Sequence, residues 1–379
     1  MLVNCQAAMD QARNQVRIQA SVHAGIRLLF VVHRYAPYPG GSEVYVASMA
    51  EESRRRGHDV WVYTDAHMGD LNGVQVTSDV RALLGEWDLI VVHGGDCGAQ
   101  DRVHMNHRLI TSPVLYLLIL PSNSPACIRG MEDALHLGCS TRADWEHCHA
   151  HGFHHKACQI RHGVALGPGT IGRPGRFRAK YGISASTRIF LSCGGFWRHK
   201  GFAELVRAFE EARVACALTA AMDNLGLDGS GVGAGAGAHP SDLNNTILIL
   251  TGYVDSNDVE ARPKDTANVH TLLIEDKADV ADAMADADLY IMNSTAEGFG
   301  LVLIEAMLNR TPWLARRIAG AIEMEEYGYT YDTYAELVCM LREFPFRKMT
   351  EQVDEAYTYA MEQRTIVKTI DDVLAMCGQ

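Results

Sequence analysis

The sequence predicts an α/β fold built of two doubly wound parallel-sheet (Rossmann-like) domains facing across a cleft. Three observations predict it. Short apolar runs alternate with helix-patterned stretches along most of the chain, which is the signature of βαβ units and a parallel sheet. The alternation pauses once, at a stretch rich in glycine and proline. In each half, a strand runs into a glycine-bearing turn that opens a helix, the place where ligands meet such sheets.

Residues 26–33 (IRLLFVVH) read as a buried parallel strand. A Pro/Gly loop follows at 35–41. Residues 42–56 read as a helix, with Val44, Ala47, Met49 and Ala50 near one face and Gly57 as a stop. Residues 59–64, 88–93 and 114–120 are the next strands. Residues 159–164 read as a strand and its end. Residues 165–175 (ALGPGTIGRPG) hold four glycines and two prolines and read as a flexible linker that permits closure of the halves. The second half places strands at 188–193, 246–251, 269–274 and 289–293. Its helices fall at 201–215, 277–285 and 299–309, and 350–376 also reads as helical. The expected domains are 1–165, with 1–24 as a disordered or extra segment, then 166–350, then a C-terminal helix over 351–379 that crosses back to the first domain. The low-complexity stretch 226–239 is expected to be a surface insertion without chemistry, since no P-loop lysine follows it.

Composition narrows the function. The chain has 379 residues, of which 47% are hydrophobic and 21% charged, enough for two cores without disulfides or metals. With 34 Lys and Arg against 46 Asp and Glu, the formal charge is −12, which argues against a protein that coats nucleic acid. The longest apolar run, 114–120, is far short of the roughly 20 residues a membrane span needs. The first 24 residues lack a signal-peptide core. A cytoplasmic protein is expected, with peripheral membrane contact left open. The ten cysteines form no Cys-x-x-Cys pair and are expected to be free thiols.

The sharpest local feature is NSTAEGFGLVLIEAM at 293–307. A strand ends at Asn293, and a turn with Glu297, Gly298, Phe299 and Gly300 opens a helix containing Glu305. Helix N-termini offer unpaired N–H groups and a positive dipole end, and glycines let a ligand approach the backbone. The pattern therefore predicts an anion or sugar-hydroxyl site. Helical rise puts Glu297 and Glu305 roughly 10–12 Å apart. That suits a ligand with a sugar at one end, a diphosphate in the middle and a ribose diol at Glu305. The alternative is an ordinary strand–turn–helix with two solvated glutamates. CGGFWRHKGF at 193–202 is a second strand–glycine–helix turn, with Arg198 and Lys200 placed to meet diphosphate oxygens. YPGGSE at 38–43 is the corresponding turn of the first half.

Together these residues resemble a GT-B glycosyltransferase of glycosyltransferase family 4, the retaining, nucleotide-sugar-dependent class. The EX7E motif matches Glu297 to Glu305 as EGFGLVLIE. The basic Lys-Gly motif matches Lys200 and Gly201. The glycine-rich acceptor loop matches Gly40 and Gly41, and the segment before the linker matches His162, Gly163 and Val164. The likeness runs in order from about residue 26 to about 321. It implies a nucleotide diphosphate sugar on the second half, with Glu305 on the ribose and Glu297 on sugar hydroxyls. The amides of Phe299, Gly300 and Leu301 would meet sugar and phosphate, and Lys200 and Arg198 the diphosphate. Gly41 and Gly298 complete the donor contacts. Gly40, His93, Ser122 and Asn123 fall on the acceptor side, where a glycan or another hydroxyl-bearing molecule would bind. The resemblance implies transfer with retention, no metal and no cofactor beyond the donor. This sequence departs from the family in two places. Gly195 stands where the family usually has arginine, and the run at 114–120 does not end in the family's histidine.

A catalytically silent nucleotide-sugar binder of the same fold is the alternative function. A nicotinamide-dependent oxidoreductase is excluded by the lack of G-x-G-x-x-G after a strand. Two further patterns draw bland readings. The histidines of HCHAHGFHHKAC (147–158), among them His147 and His151 on one helical face, are expected to be surface residues rather than metal ligands. Asp286 and Asp288 are expected to serve a helix end rather than a metal.

Overall fold

The computed structural model describes residues 25–65, 69–94, 97–119, 121–224, 243–254, 262–274, 276–344 and 349–377. The expectations for 1–24 and 226–239 lie outside the described residues. The chain forms two compact units. Of the described residues, one takes those up to Gly138, His151–Cys158 and those from Ile370 on; the other takes Cys139–Ala150 and those between Gln159 and Thr369. The sequence reading puts one boundary near 165, whereas the chain passes between units more than once, and its end returns to the first.

The first unit carries β1 (Arg27–Val31), α1 (Gly41–Arg55), β2 (Asp59–Tyr63), β3 (Gly69–Leu71), β4 (Val74–Thr77), β5 (Leu89–His93), α2 (Cys97–Asn106), β6 (Val114–Leu117), α3 (Pro125–Asp133) and β7 (His136–Cys139). After α4 (Arg142–Ala150), β8 (Ala157–Gln159) completes an eight-stranded sheet in the order β3-β4-β2-β1-β5-β6-β7-β8. The pairings from β4 through β7 are parallel, and β3 is antiparallel to β4. The β3–β4 turn is Asn72-Gly73, both left-handed at φ 53° and 77°, the combination a two-residue hairpin turn requires. The strand expected at 159–164 is found earlier, as the three residues of β8, and shares only Gln159 with it. Val164 instead pairs with Thr365.

The second unit holds α5 (Arg176–Tyr181), β9 (Arg188–Cys193), α6 (Phe202–Asn224), β10 (Thr246–Gly252), β11 (Val269–Leu273), α7 (Lys277–Asp286), β12 (Leu289–Met292), α8 (Leu301–Leu308), β13 (Trp313–Arg316), α9 (Ala319–Ile322), β14 (Tyr329–Tyr331), α10 (Tyr334–Glu343) and α11 (Met349–Gln363). The sheet order is β11-β10-β9-β12-β13-β14, with parallel pairing throughout. Counted from its first strand this is 3-2-1-4-5-6, so the winding reverses between β9 and β12. Ligands of such sheets bind at the carboxyl ends of the strands flanking that reversal.

Strand periodicity divides the core of this unit. Ile189, Leu191, Tyr290 and Met292 face one way and pack with Phe177 of α5, Met284 of α7, Leu303 and Ile304 of α8, and Ala360 of α11. Phe190, Leu289 and Ile291 face the other way, against Phe209 of α6 and Leu337 and Leu341 of α10. The long helix expected from 350 is two helices, α11 and α12 (Ile366–Leu374). They part where Arg364 O accepts from Val164 N (3.0 Å) and Val164 O from Ile366 N (2.8 Å), a pairing that extended backbone at Thr365 provides.

The expected flexible linker is strapped down instead. Asn309 Oδ1 accepts from Gly172 N at 2.7 Å, and Asn309 Nδ2 donates to Thr170 O at 2.9 Å. Arg173 pairs with Asp282 at 2.8 Å. Asp286 accepts from Gly175 N and Arg178 N, and Asp288 from Ile189 N, which gives the acidic triplet the structural duty expected of it. A Cβ on Gly172 would stand 2.0 Å from Ala281 O. Gly172→Ala is expected to destabilise the protein by about 1–3 kcal/mol through this backbone overlap. Gly167→Ala, at an open position, should leave stability unchanged. Urea denaturation of the two variants checks the contrast.

Candidate active site

The site of the second unit is built from the turns after β9 and β12. The first turn leaves Cys193, passes Gly194 and Gly195, and tightens into a 3-10 turn over Arg198–Lys200. Gly201 ends it at φ 68°, and a Cβ there would lie 2.4 Å from Asn293 O, so only glycine lets the two turns touch. Thr295 N donates to His199 O at 2.7 Å, a second tie between them. The stem of Lys200 runs past Gly194, 3.5 Å from where a Cβ on that residue would stand. Its Nζ meets Glu297 Oε1 at 2.5 Å, with the two side chains only 18% and 14% exposed. Ser294 Oγ donates to the same carboxylate oxygen at 2.6 Å.

The second turn is anchored from below. Phe299 is buried, packs edge-on against His162 at 5.3 Å and lies under the Arg364 guanidinium at 4.8 Å. Its carbonyl presses on Gly320, where a Cβ would stand 1.5 Å away. The helix expected from 299 begins at Leu301, because Gly300 takes the left-handed conformation at φ 84°. Glu297 therefore sits in the turn and Glu305 in the helix, and the simple helical rise between them does not apply. No side chain caps α8. Leu303 N already donates to Gly300 O at 2.9 Å, so Leu301 and Val302 carry the N–H groups that open the helix, at the positive end of its dipole.

Glu305 lies beyond these amides, with Lys277 Nζ 4.0 Å from its carboxylate. Burial raises its pKa above the ordinary 4.5, and Lys277 pulls the other way. Burial likewise pushes the Cys193 thiol well up, with Glu305 adding to the shift. Tyr290, whose hydroxyl donates to Cys193 O at 3.4 Å, is raised well above its usual value by burial first, then by Cys193, Glu297 and Glu305. These groups share one region of field, in which negative charge is already costly and further cations or a neutralising ligand partner would be welcome.

Of the residues expected at the site, Lys200, Glu297, Gly298, Gly300, Leu301 and Glu305 occupy these two turns and the helix they open. Phe299 contributes backbone while its ring belongs to the core. Arg198 shares the turn of Lys200, and its side chain is exposed. The space above Gly195 holds the Tyr253 ring, 3.0 Å from where a Cβ would be. Sequence reasoning missed Ser294 and the network beneath. Asn293 Nδ2 donates to Gly201 O (2.7 Å) and Glu204 Oε2 (3.1 Å), while Asn293 Oδ1 accepts from Arg316 Nη2 (3.1 Å) and Tyr331 OH. The signal was a polar residue at the end of an apolar strand.

The other expected residues lie in the first unit. Gly40 precedes α1 in extended conformation, and the Glu43 carboxylate fills the place of a Gly40 side chain, 2.0 Å from its ideal Cβ. Glu43 is buried and accepts from Arg34 Nε at 3.1 Å. Gly41 has open space around it. His93 ends β5 and is buried edge-on to Tyr45. Ser122 and Asn123 are exposed; Ser122 Oγ donates to Ser124 Oγ, and Asn123 Oδ1 faces His151 Nε2 at 2.9 Å.

Comparisons with known proteins fit this architecture. Residues 239–333 match the family model described as Glycosyl transferases group 1. The chain is 29% identical over 155 residues to the N-acetyl-alpha-D-glucosaminyl L-malate synthase of Bacillus anthracis; the match takes in 41% of this chain and 34% of that protein, about a third of its length. The structure is similar to that of Anabaena Alr3699/HepE in complex with UDP and glucose, with TM-score 0.67, 18% identity, and 92% of this chain and 98% of that one covered. It is also similar to sucrose-phosphate synthase from Thermosynechococcus elongatus, with TM-score 0.69, 15% identity, and 92% and 97% covered. At these identities the likeness establishes the fold. The chain has a GT-B fold of two parallel-sheet α/β units, with a glycosyl transferases group 1 match in the second. Among the described residues no helix is long and apolar enough to cross a membrane.

The raised pKa of Glu305 has a consequence for stability. The folded chain holds its proton to higher pH than the unfolded chain, so stability falls as pH rises from the ordinary carboxylate value through the raised one. Glu305→Gln removes that loss. The variant and the wild type should be equally stable near about pH 4, and the variant more stable near about pH 7.5. Urea denaturation at both pH values checks this; a gap independent of pH would count against it.

Proposed function

We propose that the protein is a retaining glycosyltransferase of glycosyltransferase family 4 type, transferring a sugar from a nucleotide diphosphate sugar to a hydroxyl-bearing acceptor without a metal. The observation that carries this reading is the convergence of Lys200, Glu297 and the uncapped N-terminus of α8 at the winding reversal of the second sheet. The group 1 match over β10 to β14 supports it, as do structural neighbours solved with UDP and glucose.

In this reading the diphosphate lies over the first-turn amides of α8. One Lys200 N–H stays on Glu297, and its two others are available to phosphate oxygens. As the glycosidic bond to the departing diphosphate breaks, negative charge grows on that oxygen. The ammonium and the helix dipole stabilise it, the role a divalent cation plays elsewhere. Glu297, held by Ser294 and Lys200, accepts from sugar hydroxyls. Glu305 accepts from the ribose diol, and Lys277 keeps it anionic as the nucleotide displaces water. Arg198 would join the diphosphate by turning inward from its exposed position. A hydroxyl of the acceptor attacks on the face the diphosphate leaves, which retains the anomeric configuration.

A thermal-shift panel of UDP, GDP, ADP, CDP and TDP, with the corresponding sugars, tests the reading. At least one nucleoside diphosphate should stabilise the protein, and EDTA should not abolish the effect. Lys200→Ala should weaken that nucleotide roughly ten- to a hundredfold, the cost of a charge-assisted hydrogen bond. Glu305→Ala should weaken the nucleoside diphosphate but not inorganic pyrophosphate. Release of the nucleotide from its sugar, and the anomeric configuration of the product by NMR, separate a transferase from a silent binder of the same donor.

A further inference from the structure

We propose that His104, His107 and Asp133 form a divalent transition-metal site in the first unit, suited to Zn2+. His104 lies in the last turn of α2, His107 follows three residues later, and Asp133 is the last residue of α3. The two rings lie parallel, 5.5 Å apart and 5° from coplanar in orientation. The Asp133 carboxylate gives one oxygen to each ring. Oδ2 contacts His104 Nδ1, and Oδ1 stands 3.6 Å from His107 Nε2. Ligand atoms from all three residues lie within 4.8 Å of one another, and the side chains are 19–38% exposed, so an ion can enter from solvent.

The hydrogen bond on the far side of His107 is what points to a cation. Its Nδ1 is 2.8 Å from His104 O, and a carbonyl can only accept, so Nδ1 carries the proton. In the neutral ring Nε2 then presents a lone pair, and it presents it to a carboxylate oxygen. Two lone pairs facing across 3.6 Å call for a proton or a metal ion between them. A histidine whose other nitrogen donates to a backbone carbonyl is the usual arrangement of a metal ligand. Two imidazoles and a carboxylate match zinc among the common divalent ions. Zinc–ligand bonds of about 2.0–2.1 Å set tetrahedral ligand atoms roughly 3.3–3.4 Å apart, so His107 Nε2 and Asp133 Oδ1, 3.6 Å apart, are already near that spacing, and the His104–Asp133 contact opens to admit the ion. Zn2+ would take the place of the proton on His104 Nδ1, which leaves to solvent.

The surroundings favour such a tie. Lys156 Nζ donates to Met131 O, Glu132 O and Ala134 O at 2.6–3.2 Å, occupying the carbonyls at the end of α3 and leaving Asp133 to the histidines. A cavity of about 100 Å³, walled by Val92, Val103, Ile110, Val114 and Leu135, borders the cluster. A fourth position facing it can hold water. The bound ion would clamp the end of α2 to the end of α3. The histidine-rich segment at 147–158 that drew attention in the sequence is a different place: His151 there is engaged by Asn123.

The test uses the full chain, stripped with EDTA and desalted. Titration of Zn2+ against a chromogenic chelator should show one tight equivalent, and Co2+ should develop visible d–d bands of a nitrogen–oxygen site. His107→Gln and Asp133→Asn should each weaken uptake at least tenfold, while His147→Gln/His151→Gln leaves it unchanged. Loss of uptake in the latter variant alone, or no stoichiometric uptake by the wild type, would overturn the proposal. A second measurement needs no variant. Zn2+ should protect His104 and His107 of the wild type from diethylpyrocarbonate, read by peptide mass spectrometry, and equal labelling with and without Zn2+ would sink the site.

Discussion

The geometry of the second unit depends on the contact between Gly201 and Asn293. Two strand-to-helix turns must lie against each other for Lys200 to reach Glu297, and their backbones meet where any side chain at residue 201 would collide with Asn293 O. The Asn293 side chain then fixes the contact from the other direction, through Gly201 O, Glu204, Arg316 and Tyr331. Glu204 pairs with Arg316, so the network beneath the turns is nearly neutral. Tyr331 stays protonated as a donor because burial raises its pKa strongly. A polar network of this kind specifies one arrangement of the turns, since each unmade bond within it would carry a desolvation cost.

Above that base the site is electrostatically poised. Burial raises Glu305, Cys193 and Tyr290 together, so the region resists additional negative charge except where Lys200, Lys277 and the end of α8 offset it. Positive charge is thus confined to a narrow set of positions, at the two ammonium groups and the start of α8. The Tyr253 ring over Gly195 forms a rigid aromatic wall there, edge-on to Trp197 at 5.9 Å.

Much of the fold was legible because apolar runs mark buried parallel strands. β9 was read to the residue, and β1, β2, β5, β10, β11 and β12 to within a few residues of their ends. The short strands β7 and β13 were not, since HLGC and WLAR carry no run long enough to stand out. The β3–β4 hairpin was written plainly in Asn72-Gly73 and was overlooked because so short a ribbon has little hydrophobic pattern around it. The segment 165–175 looked loose because its composition is that of a linker; in the structure Gly169 and Gly172 let backbone pass close to α7, while Gly167 stands in open space. Composition cannot distinguish a glycine that needs freedom from one that needs space.

The sequence by itself determined where the main strands fall along the chain and where glycine turns open helices, because these follow from local periodicity and from the chemistry of neighbouring residues. Tertiary structure decided where α8 begins, that Phe299 turns into the core, that Glu305 is raised by burial, and that His104 and His107 meet Asp133 from a different helix. Each of these depends on atoms distant in the chain: a Gly320 backbone beneath Phe299, a lysine from α7 beside Glu305, the end of one helix against another. Spacing along the chain carries the first kind of information, and only packing in three dimensions supplies the second.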